Sequence, residues 1–194
     1  MRVRYRGYQG FRMNAIWGLI VANLLVFIIT RLVPGLFPLL GLMPAVVLER
    51  PWTVLTSIFL HGGLWHILAN MYMLYFFGNS VYRLVGKGRF LAVYFGGGIV
   101  GSILYIILAS PFSLAVGASG AVFALGGVLA MMTPKTKVFI FPIPVPFSLW
   151  IAVIGGFLVL SFAPSIAWQA HLGGLLLGLG AGYYFKKRLR YFIY

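Results

Sequence analysis

Acidic residues are almost absent from this 194-residue chain, and their scarcity excludes several kinds of chemistry. Glu49 is the single acid, so the chain cannot form the carboxylate pair that aspartic proteases and most glycosidases use. Cysteine is absent too, which excludes disulfides and thiol nucleophiles. Three histidines without acidic or thiol partners make a poor metal site, and we predict no metal and no cofactor. For hydrolysis, the main remaining option is a hydroxyl nucleophile with a histidine base.

Charged residues of both signs together make up only 8% of the chain, and apolar residues dominate it. Hydrophobic residues account for 62% and the mean hydropathy is +1.02, far above the range of a water-soluble domain of this length. Four uncharged stretches are each long enough for at least one helix across a ~30 Å hydrocarbon core. They cover residues 13–30, 51–82, 90–134 and 138–185.

Clusters of proline and serine interrupt the two longest uncharged stretches, at residues 110–113 and 163–165, because such residues end helices and favour turns. The result is an all-α membrane protein, a six-transmembrane-helix bundle that forms one domain over residues 1–194. Two connections also have a distinctive composition. Residues 34–62 form a long apolar link that should lie in the membrane interface, and the alternating prolines of residues 141–146 predict an extended connector. The predicted helices cover residues 13–33, 63–83, 90–109, 115–133, 147–162 and 167–186.

All basic residues except Arg31 and Arg50 fall on one side of this predicted topology. The positive-inside rule makes that side cytoplasmic, so both termini are predicted to be inside the cell and the protein to be a multi-pass protein of the cell membrane. Nucleic-acid binding is the competing interpretation of a net charge of +14. Because the basic residues are confined to helix ends beside long apolar runs, we predict the lipid bilayer, and no nucleic acid, as the partner.

Four polar residues inside the apolar runs fall at one predicted depth. The second, fourth and sixth helices all begin at the external face, and His66, Asn70, Ser119 and His171 lie in their first two turns. At ~1.5 Å per residue they would sit about 5 to 10 Å below the external helix ends. Polar residues are costly inside a membrane and usually face a bundle interior or a wet cavity, so this layer is the candidate site.

Each member of the layer also has a purely structural interpretation. Ser119 stands among small residues at a helix start, which favours both a bound oxyanion and simple helix packing. His171 precedes a stripe of glycines at every fourth position, which would let the sixth helix approach the small face of the fourth helix and bring His171 to Ser119. His66 and Asn70 are four residues apart, so they can donate to one oxyanion or simply to a neighbouring helix. The glycines are Gly174, Gly178 and Gly182, and the small face is Gly120, Ala121 and Ala124.

Four motifs resemble those of the rhomboid proteases, and the likeness extends over nearly the whole chain, as a minimal six-helix rhomboid bundle. They are Glu49-Arg50-Pro51-Trp52, HGGLWHILAN from His61 to Asn70, Gly117-Ala118-Ser119-Gly120, and Ala170-His171-Leu172-Gly173-Gly174 followed by Gly178. The resemblance implies that Ser119 is the catalytic nucleophile and His171 the base. It also implies that His66, Asn70 and the Ser119 amide form the oxyanion hole.

The resemblance has further implications for the site and its substrates. Gly117 would shape the active site and Phe123 would stack near His171. Transmembrane protein substrates would enter from the side, past the second and fifth helices. The protein is then an intramembrane serine endopeptidase with a Ser-His dyad. The alternatives are a catalytically inactive rhomboid-like protein that binds membrane clients, and a small transporter or channel that uses the polar layer as its binding site.

Overall fold

The structure is a computed structural model that describes residues 15–140, 143–163 and 166–190. The four basic residues before residue 15 lie outside the described residues, so the cytoplasmic location of the amino terminus stays a prediction. Those residues are Arg2, Arg4, Arg6 and Arg12.

The described chain is mostly helical. Its six long helices begin and end within four residues of the six predicted segments, because continuous apolar runs and proline breaks mark both. The helices are α1 (Ala15–Leu32), α2 (Leu36–Leu40), α3 (Thr53–Thr56), α4 (Leu64–Val85), α5 (Lys87–Leu108), α6 (Ser119–Met132), α7 (Leu149–Ser161) and α8 (Trp168–Arg190), with 3₁₀ turns at Pro44–Val46 and Ser57–Phe59 and the strands β1 (Lys137–Ile140) and β2 (Ile143–Ser148).

The helices differ in their capacity to cross a membrane. Within the described ranges, α1 and α5 are each long and apolar enough to cross a membrane alone. Helix α4 and the segment Thr53–Phe59 before it are bent by 92° relative to each other, and they give a third candidate span if they are counted as one. The apolar helices α6 and α7 have 14 and 13 residues, so at ~1.5 Å per residue each is only about 20 Å long. The count of six crossings therefore stays a prediction, and α6 is shorter than a hydrocarbon core of ~30 Å.

Helix α6 lies at the centre of the bundle, and α8 runs beside it in backbone contact. A methyl group added to Gly174 would collide with the backbone of Gly120, and one added to Gly178 would collide with that of Ala124. One turn further on, Gly182 lies against Val128, where the nearest backbone atom would be 2.9 Å away. The predicted contact between the glycine stripe and the small face is therefore confirmed at Gly120 and Ala124, whereas Ala121 lies against Gly97 of α5, and the two helices run parallel.

We expect Gly178→Ala to destabilise the fold by about 1 to 3 kcal/mol, because the added methyl group has backbone rather than a flexible side chain in its way. The measurement is the thermal unfolding midpoint in detergent micelles. Gly180→Ala is the matched control, since Gly180 is on the exposed side of the same helix and an added methyl group meets no atom within 4 Å. Equal midpoints for the two variants would contradict close packing between α6 and α8.

The first loop, residues 33–63, folds into short helical turns and is bonded to the segment before α6. Leu42 and Ala115 exchange two backbone hydrogen bonds of 3.0 and 2.8 Å, and the amide of Gly117 donates to the carbonyl of Ser57 at 2.9 Å. Arg31 donates to the carbonyl of Gly62 at 2.7 Å and so ties the end of α1 to the end of the loop. These long-range bonds fix the position of the segment that leads to Ser119.

The connection between α6 and α7 is a two-stranded hairpin, of which residues 141 and 142 lie outside the described part. The alternating prolines predict an extended connector, and β2 is extended, but it also pairs antiparallel with β1. Proline is tolerated here because a two-stranded sheet consists of edge strands, each with one side free of partners.

Candidate active site

Ser119 is the first residue of α6, and the chain reaches it through a non-helical segment, residues 109–118. With 14 residues, α6 is about 9 Å shorter than a ~30 Å hydrocarbon core. If its other end lies at the membrane surface, Ser119 lies below the opposite surface. Non-helical backbone is tolerated at such a depth where protein covers it, and the bonds from Leu42 and Ser57 provide that cover.

Ser119 and His171 are in hydrogen-bonding contact. The Oγ of Ser119 and the Nε2 of His171 are 2.7 Å apart, although the residues are 52 positions apart in the sequence. His171 lies in the first turn of α8 and is 4% exposed. One turn further along α8, Gly174 contacts Gly120, so the close approach of the two helices brings the histidine to the serine.

The other ring nitrogen of His171 has no polar partner among the described residues. Its Nδ1 is buried and unbonded. The only acid of the chain, Glu49, is exposed in the first loop. Among the described residues, no carboxylate therefore orients the imidazole.

An aromatic ring holds His171 in place instead. The rings of Phe123 and His171 have centroids 4.7 Å apart and planes inclined by 33°, close to a stacked arrangement. Phe123 in turn meets Phe157 of α7 edge-on, at 6.0 Å and 85°. The structure thus places Phe123 beside His171, where the family resemblance implied it.

Gly117 lies against the His66 ring, beside Ser119. A methyl group at this glycine would lie 2.7 Å from the Nε2 of His66 and 3.6 Å from the Oγ of Ser119. Gly117 also has a φ of +126°, in a region that other residues rarely adopt. A side chain at position 117 would collide with the His66 ring, so the glycine lets the imidazole lie close to the Ser119 hydroxyl.

The His66 ring is oriented so that its Nε2 can donate toward Ser119. Its Nδ1 accepts a 3.4 Å hydrogen bond from the amide of Gly62, which leaves the proton of the neutral ring on Nε2. The amide of Ser119 lies nearby, at the start of α6, where backbone amides have no partner within the helix. Two donors therefore lie near the Ser119 hydroxyl.

Asn70 lies one turn along α4 from His66 and is buried. Its side-chain amide donates to the carbonyl of His66 at 2.8 Å, so one of its two hydrogens is used by its own helix. The contacts thus gather five of the predicted residues into one site, namely His66, Gly117, Ser119, Phe123 and His171, whereas Asn70 reaches it through its neighbour.

A small cavity of about 20 Å³ adjoins Ser119. A cavity of that size holds roughly one water molecule if it is polar. Its lining includes the hydroxyls of Ser57 and Ser102, neither of which the sequence singled out. Ser102 donates to the carbonyl of Val54 at 3.1 Å. The signal that could have identified Ser102 is its place as a polar residue inside an uncharged run, as for Ser119.

Within the described ranges, no three side chains of the metal-binding types come together. The chemistry that the site offers is that of a hydroxyl in contact with an imidazole, beside two hydrogen-bond donors.

The sequence matches the Rhomboid domain family over residues 48–188. It is 38% identical to Rhomboid protease GluP of Bacillus subtilis over an alignment of 148 residues. This alignment covers 71% of this chain and 28% of that protein. It is 30% identical over 145 residues to Rhomboid protein 1, mitochondrial, of Saccharomyces cerevisiae, covering 70% of this chain and 42% of that protein.

A third relative, Presenilin-associated rhomboid-like protein, mitochondrial, of Homo sapiens, is 30% identical over 180 residues, which cover 86% of this chain and 47% of that protein. The matched region is thus less than half the length of each of these three relatives.

Proposed function

The chain belongs to the rhomboid family, and we propose that it is an intramembrane serine endopeptidase that hydrolyses peptide bonds of membrane-anchored proteins. The observation that carries this proposal is the 2.7 Å contact between Ser119 and His171. A relative of bacterial origin is itself named a rhomboid protease. The active unit is a single domain whose six long helices are embedded in the membrane as one bundle.

The reaction proceeds through an acyl-enzyme. The Nε2 of His171 accepts the hydroxyl proton as the Oγ of Ser119 attacks the scissile carbonyl carbon. The tetrahedral adduct then collapses, the C–N bond breaks, and His171 returns the proton to the leaving amine. Water attacks the resulting ester with His171 again as the base, and the carboxylic acid is released from Ser119. The one-water cavity beside Ser119 is a suitable reservoir for this second step.

The oxyanion of the tetrahedral adduct lies beside Ser119, on the side of the His66 ring. The Nε2 of His66 and the backbone amide of Ser119 donate to it there, and the start of α6 adds the positive end of the helix dipole. Asn70 contributes the amide hydrogen that its bond to the His66 carbonyl leaves free. Phe123 keeps the imidazole plane fixed while the proton moves.

Substrates reach the site within the membrane. Because Ser119 begins a helix too short to cross the hydrocarbon core, a peptide bond at its depth belongs to a transmembrane protein substrate rather than to a soluble one. Entry is lateral, between α4 and α7. The protein lies in the cell membrane with both termini in the cytoplasm, as the basic helix ends favour.

The test uses a fluorophosphonate probe, which forms a covalent bond with an activated serine. We expect the purified protein to be labelled, and the label to map to Ser119. Incubation with a panel of single-span substrates, followed by mass spectrometry, should give internal cleavage sites. Absence of both labelling and cleavage, with client binding retained, would favour the catalytically inactive alternative.

We expect Gly117→Ala to lower the rate of cleavage by about 10²- to 10³-fold, the range observed when one oxyanion-hole donor is lost. The methyl group would lie 2.7 Å from the Nε2 of His66 and so displace this donor, at a φ that alanine rarely adopts. The measurement is kcat and KM on a transmembrane substrate, with thermal unfolding as a check of the fold. Gly88→Ala is the control, since that glycine is exposed and has no neighbour within 4 Å. Cleavage by Gly117→Ala at the wild-type rate would overturn this oxyanion site.

A further inference from the structure

The helix ends opposite the active site carry exposed positive charge without internal counterions. Within the described residues these basic side chains are Arg83, Lys87, Arg89, Lys135, Lys137, Lys186, Lys187 and Arg188. Arg89 of α5 lies 5.9 Å from the ring of Phe185 of α8, so these helix ends meet. Glu49 cannot neutralise them, because the first loop is bonded to the segment before α6, whereas the charges lie near its far end. The described residues therefore supply no counterion for this charge, which favours an anionic partner outside the chain.

The hairpin between α6 and α7 has two different faces. Val138 and Phe147 are cross-strand partners, both partly buried, and Val138 packs against the core of the bundle. The neighbouring pairs Lys137–Ser148 and Phe139–Pro146 lie on the opposite side, which we call the outer hairpin face. Phe139 is 72% exposed.

The outer hairpin face combines an exposed aromatic ring with positive charge. Lys137 extends across the hairpin, with its Nζ 3.3 Å from the Oγ of Ser148, and Lys135 is exposed just before the strand. An exposed aromatic side chain flanked by lysines suits the boundary between phosphate headgroups and acyl chains. If this face were turned to bulk water, the exposed ring of Phe139 would have no apolar partner.

We propose that the outer hairpin face binds anionic phospholipid of the bilayer in which the protein sits. Phe139 inserts between the headgroups, and Lys135 and Lys137 bind the lipid phosphates. The charge complementarity is direct, because this end of the bundle is basic and the chain has no second acid to offer. This inference depends on the membrane location of the protein and not on proteolysis, so it can fail or hold independently of the proposed enzymatic activity.

The absence of native cysteine allows a clean test by site-directed labelling. Phe139→Cys carries a bimane fluorophore in vesicles of phosphatidylcholine and phosphatidylglycerol, with a quenching spin label on one lipid or the other. We expect quenching by both lipids, and stronger quenching by labelled phosphatidylglycerol. Since each lysine near an anionic surface strengthens the contact about fivefold, Lys135→Gln with Lys137→Gln should remove most of this preference.

Leu48→Cys is the control, since Leu48 is 94% exposed on the first loop beside one acid and one base, Glu49 and Arg50. A probe there should show no preference for the anionic lipid. Three results at position 139 would overturn the proposal. They are equal quenching by the two lipids, quenching by aqueous iodide alone, and protection from all quenchers, which would indicate a protein partner on this face.

Discussion

Ser119→Ala should abolish cleavage of transmembrane substrates, with a loss of at least about 10⁴-fold. The change removes the oxygen that forms the acyl-enzyme, and it removes only that atom, so the backbone at the start of α6 should keep its position. Fluorophosphonate labelling should disappear as well. The measurements are single-turnover cleavage of a reconstituted substrate and in-gel detection of the label.

Ser80→Ala is the matched control for this result. The hydroxyl of Ser80 donates to the carbonyl of Phe76 within α4, at 2.9 Å, and Ser80 lies toward the opposite end of the bundle. The control protein should cleave at the wild-type rate. Because Ser119→Ala leaves the Nε2 of His171 without its partner, a modest change in thermal stability is expected and does not bear on the assignment. Retention of full activity by Ser119→Ala would refute the assignment of the nucleophile.

His171→Ala should reduce cleavage to a similar extent, because the proton of Ser119 then has no acceptor. Residues that act as one catalytic unit are not additive. The double variant Ser119→Ala with His171→Ala should therefore be no slower than either single variant. The measurement is again single-turnover cleavage, combined with the rate of fluorophosphonate labelling for His171→Ala alone.

Gln169→Ala is the control for the histidine variant. Gln169 lies in the same turn of α8 as His171, but it has no aromatic ring that could stack on Phe123. It should cleave and label normally. If His171→Ala were still labelled at the wild-type rate, another group would have to be activating Ser119, and the dyad would be incorrect.

The helices illustrate how far sequence patterns reach. Apolar runs and proline breaks located all six long helices to within four residues. The largest error at a helix start concerns α6, which was predicted to begin at residue 115 and begins at Ser119. The four residues before it are withheld from the helix by the Leu42–Ala115 bridge and by the positive φ of Gly117. Hydrogen bonds to a distant loop leave no trace in local hydropathy.

The polar residues of the candidate site could likewise be predicted only in part. Its members could be identified because hydroxyl, amide and imidazole groups are conspicuous in apolar runs. The hydrogen bond of Asn70 to its own helix could not be predicted. An asparagine side chain can donate to the carbonyl four residues before it, or it can turn away from its own helix. Ser57 and Ser102 joined the site only through the folding of the first loop against α5.

The amino-acid composition limits the kind of chemistry that is available to this protein. One acid, no cysteine and three histidines leave serine and histidine as the main route to hydrolysis, and the glycines at every fourth position mark the face along which α8 can approach another helix. The 2.7 Å distance between the Oγ of Ser119 and the Nε2 of His171, by contrast, could be known only from the three-dimensional fold. A distance between residues 52 positions apart depends on every contact between α6 and α8, and no local pattern encodes that sum.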